Sequence, residues 1–169
     1  DDCLDMVREF PNVVVSRTLS KSYSLAGLRL GLAVAAPAQI REMRKVKDSY
    51  NVGMLTQALA VAALNDDAHM RANVARVRAT RDRVGAALRQ LGFRVLPSQA
   101  NFLFAAPPGP AANLFAALRD DGVLVRYFPG PRTDAYLRIT IGTDADMNVF
   151  LDTVRQRLAA AVPAPDAEL

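Results

Sequence analysis

The run from Ala68 to Leu91 constrains this chain more than any other feature. Apolar residues recur there at three- and four-residue spacings, at Met70, Val74, Val77, Val84, Leu88 and Leu91, interrupted by Arg81. That spacing predicts one long helix, closed by Gly92 at a C′ position where glycine accepts left-handed dihedrals. A helix of this length splits the chain into two regions of different pattern. Before it, Asn12–Thr18 reads as a buried strand, because the β-branched run Val13-Val14-Val15 follows Pro11. Residues 19–27 read as a loop and Leu30–Ala35 as a second apolar strand. Pro37 opens a helix to about Val46. Thr56–Leu64 reads as a helix whose small face, built on Ala58, Ala60, Ala62 and Ala63, packs closely against a neighbour. After the long helix, Phe93–Leu96, Phe102–Ala105, Val123–Phe128 and Tyr136–Ile141 read as strands. Helices over Ala111–Asp121 and Asp144–Ala161 separate or follow them. The expected organisation is the end of an α/β layer over 1–65, a connecting long helix over 66–91, a small α+β domain over 92–162 and a tail over 163–169.

Composition narrows the function classes. Hydrophobic residues make up 51% and charged residues 22%, a globular balance and not a disordered one. The net charge of +4 suits an anionic ligand but is too diffuse for a nucleic-acid surface. The arginines of the long helix, Arg71, Arg76, Arg78, Arg81, Arg83 and Arg89, read as a solvated face, with no interleaved aromatics to stack bases. No apolar run reaches membrane-spanning length. The start, Asp1-Asp2-Cys3-Leu4, is acidic where a signal peptide is basic. The single cysteine, Cys3, has no Cys or His nearby, so neither a disulfide nor a metal site is expected. These features lead to the expectation of a cytoplasmic protein that binds neither membrane nor nucleic acid. The chain begins without Met, and the expectation is that it is a fragment.

The stretch with chemistry in it is Ser16-Arg17-Thr18-Leu19-Ser20-Lys21-Ser22-Tyr23-Ser24-Leu25-Ala26-Gly27-Leu28-Arg29-Leu30-Gly31. A strand runs into a loop that holds a lysine among hydroxyl residues, and a guanidinium stands just before the next strand. Arginine grips phosphate with a two-pronged fork, and Ser or Thr hydroxyls add hydrogen bonds to the same oxygens. A neutral lysine amine attacks an aldehyde to form a Schiff base. The competing reading is a polar surface loop with an exposed lysine. The spacing Thr18-x-x-Lys21 also matches the Ser-x-x-Lys of penicillin-recognising enzymes, but neither Ser-Asp-Asn nor Lys-Thr-Gly accompanies it.

This run resembles the pyridoxal-phosphate (PLP) lysine signature of fold-type I aminotransferases, most closely that of the histidinol-phosphate aminotransferases. The resemblance implies that Lys21 carries PLP as a Schiff base, that Arg29 binds the cofactor phosphate, and that Thr18 and Ser20 lie near that phosphate, with Ser20 the better candidate. It extends to Tyr50-Asn51-Val52 with Leu55-Thr56-Gln57, although Ser49 stands where the family usually has Pro. Further along it takes in Ser98-Gln99-Ala100-Asn101-Phe102-Leu103, Gly122-Val123-Leu124-Val125-Arg126 and Leu137-Arg138-Ile139-Thr140-Ile141-Gly142-Thr143. The implied fold is the end of a fold-type I large domain followed by the small C-terminal domain.

Arg126 and Arg138 lie in apolar strands, where an unpaired charge is costly. Alternation puts Arg138 and Thr140 on one face and Leu137, Ile139 and Ile141 on the other. The plain alternative is an edge arginine pointing to solvent. The resemblance implies that Arg138 binds the substrate α-carboxylate and Arg126 the substrate phosphate. His69, near the start of the long helix, reads as a surface or helix-end residue, and Tyr23 as a residue that lines the site or simply packs.

The implied reaction is transamination of L-histidinol phosphate with 2-oxoglutarate, giving imidazole acetol phosphate and glutamate, in histidine biosynthesis. The implied assembly is a homodimer. The alternatives are another fold-type I PLP enzyme, either an aromatic aminotransferase or a decarboxylase of a phosphorylated amino acid, and a non-catalytic anion-binding or dimerisation module. In the family, an Asp facing the pyridine nitrogen, an aromatic stacked on the ring and an Asn near the ring oxygen all precede the lysine strand. None is matched in this chain, so the 169 residues alone are expected to be inactive.

Overall fold

The computed structural model describes residues 3–161. Asp1, Asp2, the expected tail over 163–169 and Val162 lie outside the described residues. The chain divides between Asn73 and Val74 into two compact units. The helix α4 (Asp67–Gln90) runs across that division.

The first unit holds α1 (Met6–Glu9), the antiparallel pair β1 (Val14–Thr18) and β2 (Gly31–Ala35), then α2 (Pro37–Val46), α3 (Met54–Asn65) and the first turns of α4. Pro37 sits at the start of α2, where its missing N–H costs nothing. Between residues 3 and 73 only Val15, Leu19 and Ala60 are buried. This corrects two expectations. The first strand is not a buried one, since Val14, Leu32 and Val34 are 43%, 47% and 43% exposed. Nor does α3 pack along a small-residue face, because Ala60 is its one buried residue. Covering a strand takes pairing on both edges and a layer on each face. Among the described residues, β1 and β2 pair only with each other.

The second unit has a well-defined core. Its sheet runs β3 (Arg94–Val95), β4 (Phe102–Ala106), β6 (Leu137–Thr140), β5 (Arg126–Tyr127) in spatial order, and every neighbouring pair is antiparallel. The helices α5 (Ala111–Asp120) and α6 (Asp144–Ala161) complete it. Leu103, Ala105, Leu137 and Ile139 cluster with Val84 and Leu88 of α4, Leu114 and Leu118 of α5, and Phe150 and Val154 of α6. The long helix closes as its sequence predicts. Gly92 takes φ +85°, its N–H donates to Arg89 O at 3.0 Å, and the Phe93 N–H donates to Leu88 O at 3.0 Å. Those two bonds form a Schellman cap, with Phe93 and Leu88 meeting in the core. The strand expected over Val123–Phe128 shortens to Arg126–Tyr127, because the Val123 N–H instead closes α5 by donating to Leu118 O at 2.8 Å.

Arg81 is the clearest departure from the sequence reading. It does not belong to a solvated face: it is 6% exposed. Its guanidinium donates to Asp82 Oδ1 at 3.1 and 3.2 Å and to the Ala100 carbonyl at 3.2 Å. A buried arginine is tolerated when its donors are engaged in this way.

Helix α6 is held at its start by a reciprocal cap. The Asp146 N–H donates to Thr143 Oγ1 at 3.2 Å, while the Thr143 N–H donates to Asp146 Oδ2 at 3.0 Å. Its flanks are tied by Arg83 to Asp144 at 2.7 Å and by Arg157 to Asp121 at 2.6 Å. Hydrogen bonds from Arg83 and then Thr80 hold the Asp144 carboxyl below its ordinary value, and those from Arg157 do the same for Asp121. A carboxyl depressed on folding stabilises the fold above its unfolded value, and that contribution disappears as pH falls through the folded value. The thermal midpoint is therefore expected to drop as pH falls from about 4 towards about 2. A chain carrying both Asp121→Asn and Asp144→Asn should show a shallower acid limb in melts followed by circular dichroism.

Candidate active site

The register of the first sheet creates the candidate site. Thr18 of β1 lies opposite Gly31 of β2, so residues 19–30 form a loop with its two ends held together. The loop has internal structure. Leu19 is 3% exposed, and its carbonyl accepts the Leu25 N–H at 3.1 Å. The Ser24 N–H donates to Lys21 O at 3.0 Å. A 3-10 turn over Ala26–Leu28 then ends at Arg29. Two non-glycine residues take left-handed dihedrals, Ser24 at φ 57° and Arg29 at φ 51°. Such conformations cost of order 1–3 kcal/mol each and persist only where surrounding structure enforces them.

The sequence-derived residues Thr18, Ser20, Lys21 and Arg29 therefore sit on one loop and at its neck. Thr18 Oγ1 accepts the Ser20 N–H at 3.1 Å and donates to Ser20 Oγ at 2.8 Å. The two hydroxyls share one proton between them, which leaves the pair one hydroxyl proton to donate elsewhere. Arg29 donates to Ala26 O at 2.9 Å through one nitrogen. Its other donors and the Lys21 amine meet no acceptor among the described residues, and no carboxylate pairs with either side chain there. Both residues are exposed. An uncommitted amine, an uncommitted guanidinium edge and a free hydroxyl proton on one loop match the chemistry of PLP, which is an aldehyde with a phosphate ester. The residues present fit that group.

A cleft of about 300 Å³ beside this loop is lined by Ser22, Tyr23, Asp66, His69 and Asn73, not by Lys21 or Arg29. His69 shares a 2.8 Å hydrogen bond with Asn73, and its N–H donates to Asp66 Oδ1 at 3.2 Å, a helix-start role.

In the second unit, register puts Arg126 directly opposite Arg138. Like charges facing each other across two strands repel. Neither guanidinium has a carboxylate or hydrogen-bond partner among the described residues. Each instead lies over a ring: Arg138 is 4.4 Å from the Phe102 centroid and Arg126 is 5.3 Å from that of Phe128. Sequence reasoning missed both rings and buried Arg81. The available signal for Arg81 was its place within the apolar stripe of α4.

Residues 3–154 match the profile of aminotransferases class I and II. The chain belongs to this family. The histidinol-phosphate aminotransferase of Synechocystis is 53% identical over 152 residues, which are 89% of this chain and 44% of that protein. The histidinol-phosphate aminotransferase of Geotalea uraniireducens is 47% identical over 157 residues, 92% of this chain and 45% of that protein. Among solved structures, the histidinol-phosphate aminotransferase of Sinorhizobium meliloti in complex with pyridoxal-5'-phosphate shares the fold, with a TM-score of 0.82 at 24% identity. That match covers 94% of this chain and 44% of the other. The expected mixed α/β aminotransferase fold is therefore met. The chain spans less than half the length of the curated relatives it matches.

Within this aminotransferase loop, Ser24→Gly should leave thermal stability unchanged or raised by up to about 1 kcal/mol. Ser24→Val should lower it by more than about 1 kcal/mol, since a β-branched residue resists the left-handed region. Thermal unfolding followed by circular dichroism measures both.

Proposed function

We propose that this chain supplies the cofactor lysine and the anion-binding arginines of a PLP-dependent aminotransferase. In this reading its polypeptide exchanges the amino group between L-histidinol phosphate and 2-oxoglutarate, yielding imidazole acetol phosphate and glutamate. The observation that carries the proposal is the loop of residues 19–30. In a chain of this family, an unpartnered Lys21 shares that loop with Arg29 and Ser20. The names of the relatives support the particular substrate.

Each residue has a role in this reading. Lys21 holds the cofactor through its amine. Arg29 and Ser20 hold the phosphate, which fixes the cofactor while bonds change elsewhere. PLP, when bound, supplies an electron sink for the carbanion left at the substrate Cα. The Lys21 amine, once free, takes the Cα proton as a base and returns a proton as an acid. Arg138 orients the α-carboxylate of glutamate or 2-oxoglutarate, and Arg126 meets the phosphate of histidinol phosphate. Residues 1–65 belong to the cofactor-holding domain, 66–91 to the connecting helix and 92–162 to the small domain. The working form is a cytoplasmic homodimer, and the 169 residues alone do not turn over substrate.

The test uses the full-length polypeptide loaded with PLP. Borohydride reduction should fix the chromophore to the peptide containing Lys21, and Lys21→Ala should abolish the adduct and lower kcat by about a thousandfold or more. Arg29→Gln should weaken PLP binding by about 10- to 100-fold, as expected for one charged hydrogen-bonding group lost from a phosphate. Carbon dioxide release from a phosphorylated amino acid, with no transamination, would replace this reading by a decarboxylase. A folded full-length protein that forms no adduct would leave an anion-binding module.

A further inference from the structure

The four-stranded sheet of the second unit has one buried face and one open face, and the open face carries rings and guanidiniums in alternation. Direct cross-strand partners share a face, as do residues two apart along a strand. Phe102, Phe104, Arg138, Thr140 and Arg126 therefore share the side opposite the core, and Tyr136, 9% exposed, and Phe128 continue it just beyond the strand ends. Arg138 stands opposite Phe104, yet its guanidinium does not lie over that ring. Tyr136 already covers Phe104, with centroids 4.7 Å apart and planes within 10°. Arg138 goes instead to the diagonal neighbour, Phe102, at 4.4 Å.

The position of Phe102 is itself fixed. Ser98 Oγ donates to Phe102 O at 2.6 Å and accepts the Ala100 N–H at 3.1 Å, closing a turn just before β4. Buried Arg81 pins that turn from behind through the Ala100 carbonyl. At the strand's edge, the Ile141 N–H donates to Asn101 O at 2.9 Å. A ring held this firmly offers a defined surface. Its electron-rich face attracts the cation, and the guanidinium lying on it keeps its in-plane N–H donors for another acceptor.

We propose that Phe102 is the positioning residue for Arg138. Its ring takes the place of a carboxylate countercharge, holding Arg138 beside the like-charged Arg126 while leaving the Arg138 donor edge open to a carboxylate or phosphate group of the substrate. A carboxylate partner would neutralise Arg138 and compete with the substrate for the same fork, and a phenyl face does neither. Phe128 under Arg126 repeats the arrangement on the neighbouring strand. The proposal deepens the aminotransferase reading and rests on it for the identity of the substrate anion.

The experiment measures inorganic phosphate binding by calorimetry in the full-length holoenzyme, in which PLP already fills the Lys21 and Arg29 site, and phosphate stands in for the anion of either substrate at the facing pair Arg126 and Arg138. Phe102→Leu should weaken phosphate binding and raise KM for glutamate by about 5- to 10-fold, with kcat and cofactor absorbance close to wild type. Phe102→Tyr should restore both values. In an Arg138→Gln background, Phe102→Leu should have no further effect. Should Phe102→Leu fail to fold, fluorinated phenylalanines at position 102 keep the shape while draining the ring's electron density, and phosphate affinity should fall with each added fluorine. Affinity that ignores fluorination, or a Phe102→Leu loss that persists undiminished without Arg138, overturns the proposal. Phosphate titration needs no turnover, so a missing borohydride adduct at Lys21 would defeat the aminotransferase reading while Phe102 and Arg138 are still judged by their coupling.

Discussion

Alternation along β4 and β6 governs the second unit. A strand turns successive side chains to opposite faces, so burying one set commits the other to the far side. Leu103, Ala105, Leu137 and Ile139 enter the core with α4, α5 and α6. Arg138 must then stand on the open face, next to Phe102 and Phe104 and opposite Arg126. A slip of one residue in the β4–β6 register would drive a guanidinium into the core and expose leucine and isoleucine. The hydrophobic demand of the core thus fixes the position of the anion-binding groups, although none of them takes part in that core.

Helix ends hold this sheet to its helices. Two Schellman-type closures, at Gly92 and Gly122, end α4 and α5 and turn the chain directly towards β3 and β5. Arg83 and Arg157 tie α6 to α4 and to the end of α5 through exposed carboxylates. Surface pairs of this kind add little individually, and the buried leucines and valines carry most of the stability. Arg81 has a different part. Its side chain links α4 to the turn before β4, transmitting the position of the helix to the strand that carries Phe102.

The first unit follows another logic. Its hairpin closes a loop whose polar side chains have few partners of their own, and two residues of that loop, Ser24 and Arg29, hold left-handed dihedrals without being glycine. Strain and uncommitted donors on one loop are what a binding loop needs, because an amine or guanidinium already paired with a carboxylate has to give that partner up before it takes a ligand. Thr18 and Ser20 are linked here in a way their sequence positions do not reveal. The bond between them consumes one hydroxyl proton and leaves the other available.

The sequence by itself determined the order of elements, the long helix with its glycine cap, and the association of Lys21, Arg29 and Ser20 with one loop. These depend on local spacing and backbone preference, which neighbouring residues carry in full. Only the tertiary structure decided that Arg81 is buried, that β1 and β2 are largely uncovered within the described residues, and that Arg138 lies on Phe102 and not on Phe104. Those outcomes depend on what stands across a strand or behind a helix. The charge of Arg81 reads as solvated until the Ala100 carbonyl is seen beside it, and the choice between two phenyl rings depends on Tyr136 having covered one of them. The place of Arg81 in the apolar stripe of α4 signals burial, but local spacing does not name the distant partner that permits it, so the contact itself had to be seen in three dimensions.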